Sequence, residues 1–224
     1  KNVMVAGSGV LGFQIAVQCA YFGYKVMVYD VNDEALNKAK NRFDVLAEEY
    51  KNYLKADEEK IENTKNNLTY STDLKASLQD ADLLIEAVPE SIDIKKDIWE
   101  KASEHAPEKT IFASNSSTLL PSRLSTFTDR PEKFIHLHFA NHIMVRNTAE
   151  IMGSDQTDPT VYNEIVEFAK SIAMLPVELK KEKSGYVLDS LLIPLLVAGL
   201  ALWANDVADP ATIDKTWRIA TGAP

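Results

Sequence analysis

The chain is poor in cysteine, in basic residues and in long apolar runs, and each shortage excludes a class of protein. Cys19 is the only cysteine among 224 residues, so neither an intrachain disulfide framework nor a thiolate metal cluster is expected, and a reducing, cytoplasmic location fits best. The 24 Lys and Arg against 33 Asp and Glu leave a net charge of -9, which argues against nonspecific nucleic-acid binding. The richest apolar stretch, residues 191–204, has 14 residues and contains a proline. It is too short for a membrane span and predicts a buried helix.

The order of apolar segments predicts an α/β protein with a Rossmann-type, mostly parallel sheet. Residues 2–6 are a short apolar run ended by glycines, residues 10–21 have helical spacing, and residues 25–29 repeat the strand pattern. A strand, helix and strand in this order require parallel pairing. Further strands are expected at 68–71, 83–88, 110–114, 134–139, 149–152 and 177–179, with helices near 76 and at 92–106 and 160–172.

Two segments extend this plan. From residue 33 to about 56, apolar side chains recur every three or four positions, and a shorter helix follows at 58–66, which predicts a helical-hairpin arm at about 33–66. After Gly185 the pattern is helical only, with Pro210 opening the last helix. We therefore predict a cofactor-binding domain at 1–181 and the start of an all-helical domain at 182–224. The latter is expected to be truncated, because about 40 residues are few for an independent core.

Gly7, Gly9 and Gly12 form G-x-G-x-x-G between a predicted strand and a predicted helix. The three glycines permit a tight turn, close approach of a pyrophosphate and close packing of helix on strand, and the phosphates then lie at a helix N-terminus. Asp30 ends the second strand, where a carboxylate accepts hydrogen bonds from the adenosine ribose and repels a 2′-phosphate. Because no arginine follows it directly, the motif predicts NAD rather than NADP.

A histidine and a glutamate at the end of the strand series suggest acid–base chemistry. His138 lies near the end of the strand at 134–139, and Glu150 lies on the next strand, so the two side chains can face each other across a hairpin. A histidine held by a carboxylate is suited to taking a hydroxyl proton while a hydride leaves the same carbon. A histidine at a strand end is more often structural, and His136 and His142 compete for the same role.

Six motifs occur in a specific order: GSGVLG at 7–12, EAVPE at 86–90, SNSST at 114–118, LHFAN at 137–141, AEIMG at 149–153 and GYVLDSLLIP at 185–194. With this order and spacing, the chain resembles the L-3-hydroxyacyl-CoA dehydrogenase family in its 3-hydroxybutyryl-CoA dehydrogenase branch. The resemblance covers the chain from Asn2 to its end.

The resemblance implies NAD-dependent interconversion of an L-3-hydroxyacyl-CoA and a 3-oxoacyl-CoA, as in fatty acid and butanoate metabolism. It implies that His138 is the catalytic base and Glu150 its partner, with an acyl-CoA substrate, no metal, and a homodimer formed through the helical domain. The implied substrate-binding residues are Ser117, Asn141 and Asp189, and the implied cofactor-binding residues are Gly7, Ser8, Gly9, Val10, Leu11, Gly12, Asp30, Glu90, Lys95 and Asn115. The arm would lie against coenzyme A, with Lys38, Lys40, Arg42, Lys51 and Lys55 as candidates for its phosphates.

Three positions depart from the family pattern. Where the family has HFFNP, this chain has Ala140 in place of an aromatic residue and His142 in place of the proline. Asp189 stands where the family has an asparagine that contacts substrate, and an ionised aspartate accepts hydrogen bonds but donates none. Two alternatives therefore stay open: a dehydrogenase of a free hydroxy acid or sugar acid on the same fold, and a catalytically weak, crystallin-like NAD-binding protein.

Overall fold

The computed structural model describes residues 1–223, which divide into two compact units, with the boundary in the chain between Lys183 and Ser184. The strands are β1 (Asn2–Ala6), β2 (Lys25–Tyr29), β3 (Leu68–Ser71), β4 (Leu83–Glu86), β5 (Ile111–Ser114), β6 (Phe134–Phe139), β7 (Thr148–Met152) and β8 (Leu175–Glu178). The helices are α1 (Val10–Tyr21), α2 (Asp33–Leu54), α3 (Glu58–Asn66), α4 (Leu74–Leu78), α5 (Ile92–His105), α6 (Pro121–Leu124), α7 (Pro159–Ser171), α8 (Leu188–Ala204) and α9 (Pro210–Thr221). Two 3₁₀ turns lie at Ser125–Phe127 and Pro131–Lys133.

The eight strands form one sheet in the order β3-β2-β1-β4-β5-β6-β7-β8. Every neighbouring pair is parallel except β6 with β7, so the predicted mostly parallel sheet is confirmed. The chain moves outward from β1 to β3 and then crosses to the other side of β1 at β4. Ligands of such sheets bind at this reversal, beyond the carboxyl ends of the strands.

The sheet has a core on each face. Along β1, Val3 and Val5 join one apolar cluster and Met4 and Ala6 join the other, and all four are essentially inaccessible to water. Burial on both faces explains why the strand is a continuous apolar run without alternation. Because both faces are covered, a ligand can reach this part of the sheet only at an end, which places the candidate site at the carboxyl ends of the strands.

The arm packs along one face against the rest of the first unit. Asn32 caps α2 by accepting a hydrogen bond from the N–H of Ala35, and the helix ends where Lys55 adopts a left-handed conformation. The buried face of α2 belongs to the larger apolar cluster, and its Tyr50 hydroxyl donates to the side chain of Gln18 on α1. The inner face of the arm is therefore part of the main core.

The second unit contains α8 and α9. The prediction that residues 191–204 form a helix is confirmed, but the prediction that this helix is buried is wrong: no residue of α8 is buried, and Leu191 is 70% exposed. Two helices are too few to enclose an apolar helix on all sides. Among the described residues, no helix has both the length and the apolar character that a membrane crossing needs.

Candidate active site

The glycine loop between β1 and α1 is compact everywhere except at Gly9. Gly7 has φ +102°, and a Cβ atom there would lie 2.5 Å from the carbonyl oxygen of Ala87. A Cβ on Gly12 would overlap the carbonyl oxygen of Gly7. A Cβ on Gly9, in contrast, would have no neighbour within 4 Å. The open space at Gly9 is the room that a pyrophosphate against the backbone requires.

Helix α1 begins directly at this opening. Gly9 is its N-cap, no side chain caps it, and no acidic residue lies in its first turn. The N–H groups of a first helical turn, here those of Val10 and Leu11, have no partner within the helix, and the helix dipole is positive at this end. Both features favour an anion. The residues present therefore fit the dinucleotide that the sequence predicts.

Asp30 follows β2 and is bound to the glycine loop. Its Oδ2 accepts hydrogen bonds from the N–H and the hydroxyl of Ser8 at 2.7 and 2.6 Å, and its Oδ1 accepts from the N–H of Val31 at 2.8 Å. A carboxylate has about four acceptor positions, so about one remains for a ribose hydroxyl. The loop thus holds Asp30 in a fixed orientation at the end of β2.

Arg42 is a neighbour of this loop that the sequence analysis did not place there. Its Nη1 donates to the carbonyl oxygen of Ser8 at 3.3 Å. Asp30 therefore binds the N–H of Ser8 and Arg42 binds its carbonyl oxygen, although Arg42 belongs to the arm helix α2. Only the packing of α2 on α1 brings the two together, and no local sequence signal indicates it.

His138 and Glu150 are directly paired across the antiparallel strands β6 and β7. The Nδ1 atom of His138 lies 2.9 Å from Oε2 of Glu150, and the Oγ of Ser117 lies 3.1 Å from Nε2 of the same ring. His138 is 6% exposed and Glu150 3%. Since an ionised carboxylate only accepts hydrogen bonds, Nδ1 carries the proton and Nε2 is left as the basic nitrogen.

The two competing histidines have different surroundings. His136 is fully buried, and this burial, with a smaller contribution from the positive charge of Lys95, lowers the pKa of His136 to about 3. It stays neutral near neutral pH and is unsuited to accepting a proton there. His142 is exposed and lies beyond the end of β6, in the loop before β7. The geometry therefore favours His138 as the base.

Residues 114–118 form the segment that presents Ser117 to His138. The Ser114 hydroxyl donates to Oε2 of Glu86 at 2.7 Å. The side-chain oxygen of Asn115 accepts from the N–H of Phe139 at 3.0 Å, which ties the segment to the end of β6. Because these bonds fix both the start of the segment and its distance from β6, they also fix where Ser117 lies.

Glu90 binds the other end of the same segment. Its Oε1 accepts from the Ser116 hydroxyl at 2.6 Å and from the N–H and hydroxyl of Thr118 at 3.0 and 2.8 Å. Burial acts to raise the pKa of Glu90, but these hydrogen bonds and the charge of Lys95 outweigh it and hold the pKa at about 2. Glu90 is therefore ionised throughout the physiological range.

Lys95 lies inside the protein, beneath this segment. It is 1% exposed, and its Nζ donates to Oε1 of Glu86 at 2.6 Å and lies 3.2 Å from Oε2 of Glu90. Burial raises the pKa of Glu86, an effect that the charge of Lys95 opposes. Sequence reasoning did not single out Glu86, although a glutamate inside the apolar run at 83–88 is a signal for a paired buried charge.

The remaining predicted residues are more dispersed. Asn141 is exposed just after β6, and Asp189 lies in the first turn of α8, in the second unit. The five basic residues of the arm that were candidates for the coenzyme A phosphates each have a partner: Lys38 with Glu34, Lys40 over the ring of Tyr70, Arg42 with Ser8, Lys51 with Glu48 and Glu58, and Lys55 with the carbonyl of Asn52. Within the described part of the chain, no three His, Cys, Asp or Glu side chains form a possible metal site.

A doubly wound sheet with a glycine loop, an acidic residue after β2 and a buried histidine–glutamate pair defines the class of dinucleotide-dependent dehydrogenases. Residues 2–183 match the model of the NAD-binding domain of 3-hydroxyacyl-CoA dehydrogenases. The chain belongs to this family, which confirms the resemblance drawn from its motifs, and it is an oxidoreductase whose cofactor is NAD.

Three relatives illustrate the similarity. The mitochondrial hydroxyacyl-coenzyme A dehydrogenase of Homo sapiens is 30% identical over 229 residues, which cover all of this chain and 73% of the human protein. The 3-hydroxybutyryl-CoA dehydrogenase of Clostridioides difficile is 30% identical over 228 residues, which cover all of this chain and 79% of its own. A solved structure of a diketoreductase that acts on dicarbonyl compounds is 56% identical, with a TM-score of 0.95 over all of this chain and 80% of that one.

Proposed function

We propose that the enzyme interconverts an L-3-hydroxyacyl-CoA and the corresponding 3-oxoacyl-CoA, with acetoacetyl-CoA as a representative substrate. The observation that carries the proposal is the His138–Glu150 pair, whose basic nitrogen lies beside Ser117 at the carboxyl end of the sheet. The same end of the sheet carries the glycine loop, and both relatives named for CoA substrates cover the whole of this chain.

His138 transfers the proton of the reaction. In the oxidation direction, Nε2 accepts the proton of the substrate hydroxyl as the C–H bond of the same carbon breaks, and in the reduction direction it returns the proton to the oxygen. Glu150 holds the ring through Nδ1 and stabilises the imidazolium that forms. The hydroxyl of Ser117 lies 3.1 Å from Nε2 and hydrogen-bonds to the reacting oxygen of the substrate when that oxygen reaches Nε2. NAD, when bound, supplies the hydride acceptor or donor.

The residues assigned to binding follow from the same proposal. Asn141 contacts the substrate, the glycine loop and the first turn of α1 hold the pyrophosphate, and Asp30 holds the adenosine ribose. Asp189, in the second unit, is assigned to the substrate by the family resemblance alone. The loop geometry at Gly9 and the three hydrogen bonds to Asp30 support the cofactor assignments. Glu90 and Asn115 lie in the network beside Ser117, which supports their assignment to the nicotinamide end. Lys95 is assigned to the same end through its ion pair with Glu90.

The second candidate function is reduction of a dicarbonyl compound that carries no coenzyme A. It is favoured by the 56% identity to the diketoreductase, and it differs from the free hydroxy acid or sugar acid substrates that the sequence left open. A 3-oxoacyl thioester is itself a 1,3-dicarbonyl compound, so His138 does the same work in both cases. The two functions differ only in whether coenzyme A contributes to binding.

An NADH oxidation assay distinguishes the two candidates. The substrates are acetoacetyl-CoA, the acetoacetyl thioester of N-acetylcysteamine, and an acetoacetate ester. They share the reacting carbonyl and differ in the thiol or alcohol that is esterified to the acetoacetyl group. We expect the highest kcat/KM with acetoacetyl-CoA. Equal values for all three would replace the acyl-CoA proposal with the dicarbonyl one. No turnover of any would leave a dehydrogenase of a free hydroxy acid or sugar acid, or a crystallin-like protein.

We also propose a homodimer formed through the helical unit and a cytoplasmic location. The exposed leucines of α8 support the dimer, because a large exposed apolar face marks an association surface. Cys19 is buried, and burial raises the pKa of its thiol to about 12, so it is inert rather than available for a disulfide. Sedimentation analysis over a range of concentrations tests the dimer, and a monomer throughout would contradict it.

Replacing Asp30 with serine is expected to move cofactor preference toward NADPH. The substitution removes the charge that repels a 2′-phosphate, while Arg42 remains bound to Ser8 in the same loop as a cation for that phosphate. The measurement is the ratio of kcat/KM for NADPH and NADH, which we expect to rise roughly tenfold or more. Asp30→Ser combined with Arg42→Ala is the matched control and should lose most of that gain. A wild-type protein that uses both cofactors equally would contradict the role of Asp30.

Replacing Asp189 with asparagine is expected to raise kcat/KM for acetoacetyl-CoA about tenfold to a hundredfold, because an amide can donate a hydrogen bond that an ionised carboxylate cannot. NADH affinity should not change. Kinetics of both proteins between about pH 5 and pH 8 provide the measurement. Equal efficiency across that range would remove residue 189 from the substrate site.

A further inference from the structure

The loop between β6 and β7, residues 140–147, connects the strand of His138 to the strand of Glu150. We call it the hairpin loop. It begins with Ala140 and Asn141, directly after the strand of His138, and Ile143 and Met144 anchor its middle in the core. A displacement of this loop would therefore move the substrate contacts of Asn141 without changing the sequence of either strand.

The side chain of Gln14 holds this loop from the cofactor helix. Gln14 lies on α1 and is buried, and its Oε1 accepts hydrogen bonds from the N–H of His142 at 2.9 Å and of Ile143 at 3.3 Å. One amide oxygen thus binds two consecutive backbone donors, using both of its acceptor positions. This connects the glycine-loop helix to the hairpin loop over a separation of 128 residues.

The backbone at His142, whose N–H makes this contact, has a left-handed conformation. Its φ is +61°, in the left-handed region that histidine enters more readily than most residues. Its carbonyl oxygen accepts from the N–H groups of Val145 and Arg146, at 2.9 and 2.8 Å, which closes a tight turn. A proline at this position has φ near -65° and no N–H, so it could neither adopt the conformation nor bind Gln14. The hairpin loop therefore follows a path that the HFFNP pattern excludes at residue 142.

We propose that Gln14 is a positioning residue that sets substrate affinity, by fixing the left-handed turn at His142 and with it the placement of Asn141. The inference rests on the proposed function. It assigns to a residue of the cofactor helix an effect on the substrate rather than on NADH. The hydrogen-bonded atom faces the hairpin loop, and the cofactor loop is held separately by Ser8 and Asp30.

The test compares Gln14→Leu and Gln14→Glu. Leucine fills similar space but leaves two N–H groups without their acceptor, and we expect a roughly tenfold to hundredfold rise in KM for acetoacetyl-CoA or the best dicarbonyl substrate. The Kd of NADH should stay within about twofold. Glutamate retains an acceptor oxygen and should restore most of the lost affinity. A merely structural role would lower the amount of folded enzyme and leave KM unchanged.

Gln18→Leu is the matched control. Gln18 lies one turn further along α1 and is also buried. It accepts from the Tyr50 hydroxyl and donates to the carbonyl of Ile172, away from the hairpin loop. It should lower the melting temperature without raising KM. If Gln14→Leu does not fold, His142→Pro and His142→Gly form a second pair: glycine keeps the N–H and the left-handed φ and should be neutral, whereas proline should raise KM.

Wild-type KM in both Gln14→Leu and His142→Pro would overturn the inference, as would an equal rise in Gln18→Leu. Failure of the proposed function has a different signature in the wild-type enzyme, which would then use all three substrates equally, so that the KM comparison is made with the best dicarbonyl substrate, or would turn over none of them. In that case, amide hydrogen exchange at His142 and Ile143 decides the question. Exchange should accelerate in Gln14→Leu and remain slow in Gln14→Glu, and unchanged exchange in Gln14→Leu would overturn the inference.

Discussion

Replacing His138 with glutamine is expected to lower kcat by roughly 10² to 10⁴, because positioned proton transfer typically contributes a factor of that size. Glutamine keeps a hydrogen-bonding side chain but has no basic nitrogen. NADH affinity should be nearly unchanged, since His138 hydrogen-bonds to Glu150 and Ser117, and neither residue belongs to the glycine loop. The measurements are steady-state turnover of acetoacetyl-CoA and NADH binding by fluorescence titration.

Glu150→Gln is the companion variant. It keeps a hydrogen-bonding group opposite Nδ1 but removes the charge that stabilises the imidazolium, and a flipped amide can select the wrong tautomer. Turnover should fall, though less than in His138→Gln, and the double variant should be little worse than the histidine variant alone, because the two residues act as a unit. A His138→Gln protein with wild-type turnover would remove the residue from the mechanism.

The first half of the sheet was predictable because each of its signals is local. Residues 2–30 contain the periodic apolar runs, the glycines and the terminal aspartate in consecutive order, and β1, α1 and β2 have the predicted bounds. The ends of some later strands differ from the predicted ends. The apolar run extends to residue 88, but β4 already ends at Glu86. The strand ends there because the N–H of Val88 binds the Glu86 side chain instead of a neighbouring strand.

Prolines and short elements account for other differences. Strand β8 was predicted at 177–179 but begins at Leu175 and includes Pro176, which is tolerated because β8 lies at the edge of the sheet. The short helix α6 and the two 3₁₀ turns were missed because four residues or fewer show no periodicity. The burial of α8 was predicted from its composition alone, and composition does not show what covers a helix.

The candidate site likewise contains some residues that local sequence signals predict and others that they do not. The facing of His138 and Glu150 could be predicted, because the two lie twelve residues apart on consecutive strands. Ser117 entered only through the resemblance. Gln14 was not predicted at all, and Arg42 was assigned to coenzyme A rather than to the glycine loop, because their site contacts span 128 and 34 residues and depend on how helices pack. Sequence periodicity identifies which residues face inward but not which distant backbone group they will meet.

The buried ion pair of Lys95 and Glu86 yields the largest expected loss of stability. Lys95→Met fills similar volume but leaves the Glu86 carboxylate with its Ser114 and Val88 hydrogen bonds and no cation. Removing one partner of a buried pair costs about 3–5 kcal/mol, because the remaining charge is uncompensated. We expect the free energy of unfolding in urea to fall by that amount. Glu86→Gln combined with Lys95→Met should recover much of it, since no buried charge remains.

The pH dependence of the Lys95→Met protein separates this cause from a simple packing defect. Burial already raises the pKa of Glu86, and loss of the cation raises it further, so the folded state holds a proton that the unfolded chain releases above its ordinary pKa of about 4.3. Stability of the variant therefore decreases as pH rises from that value through the folded pKa. The loss of unfolding free energy relative to wild type should be smallest near the ordinary pKa, at the low-pH end of this range. The double variant should show no such trend. A deficit that is equal at all pH values would mean that packing, not the unpaired carboxylate, destabilises the protein.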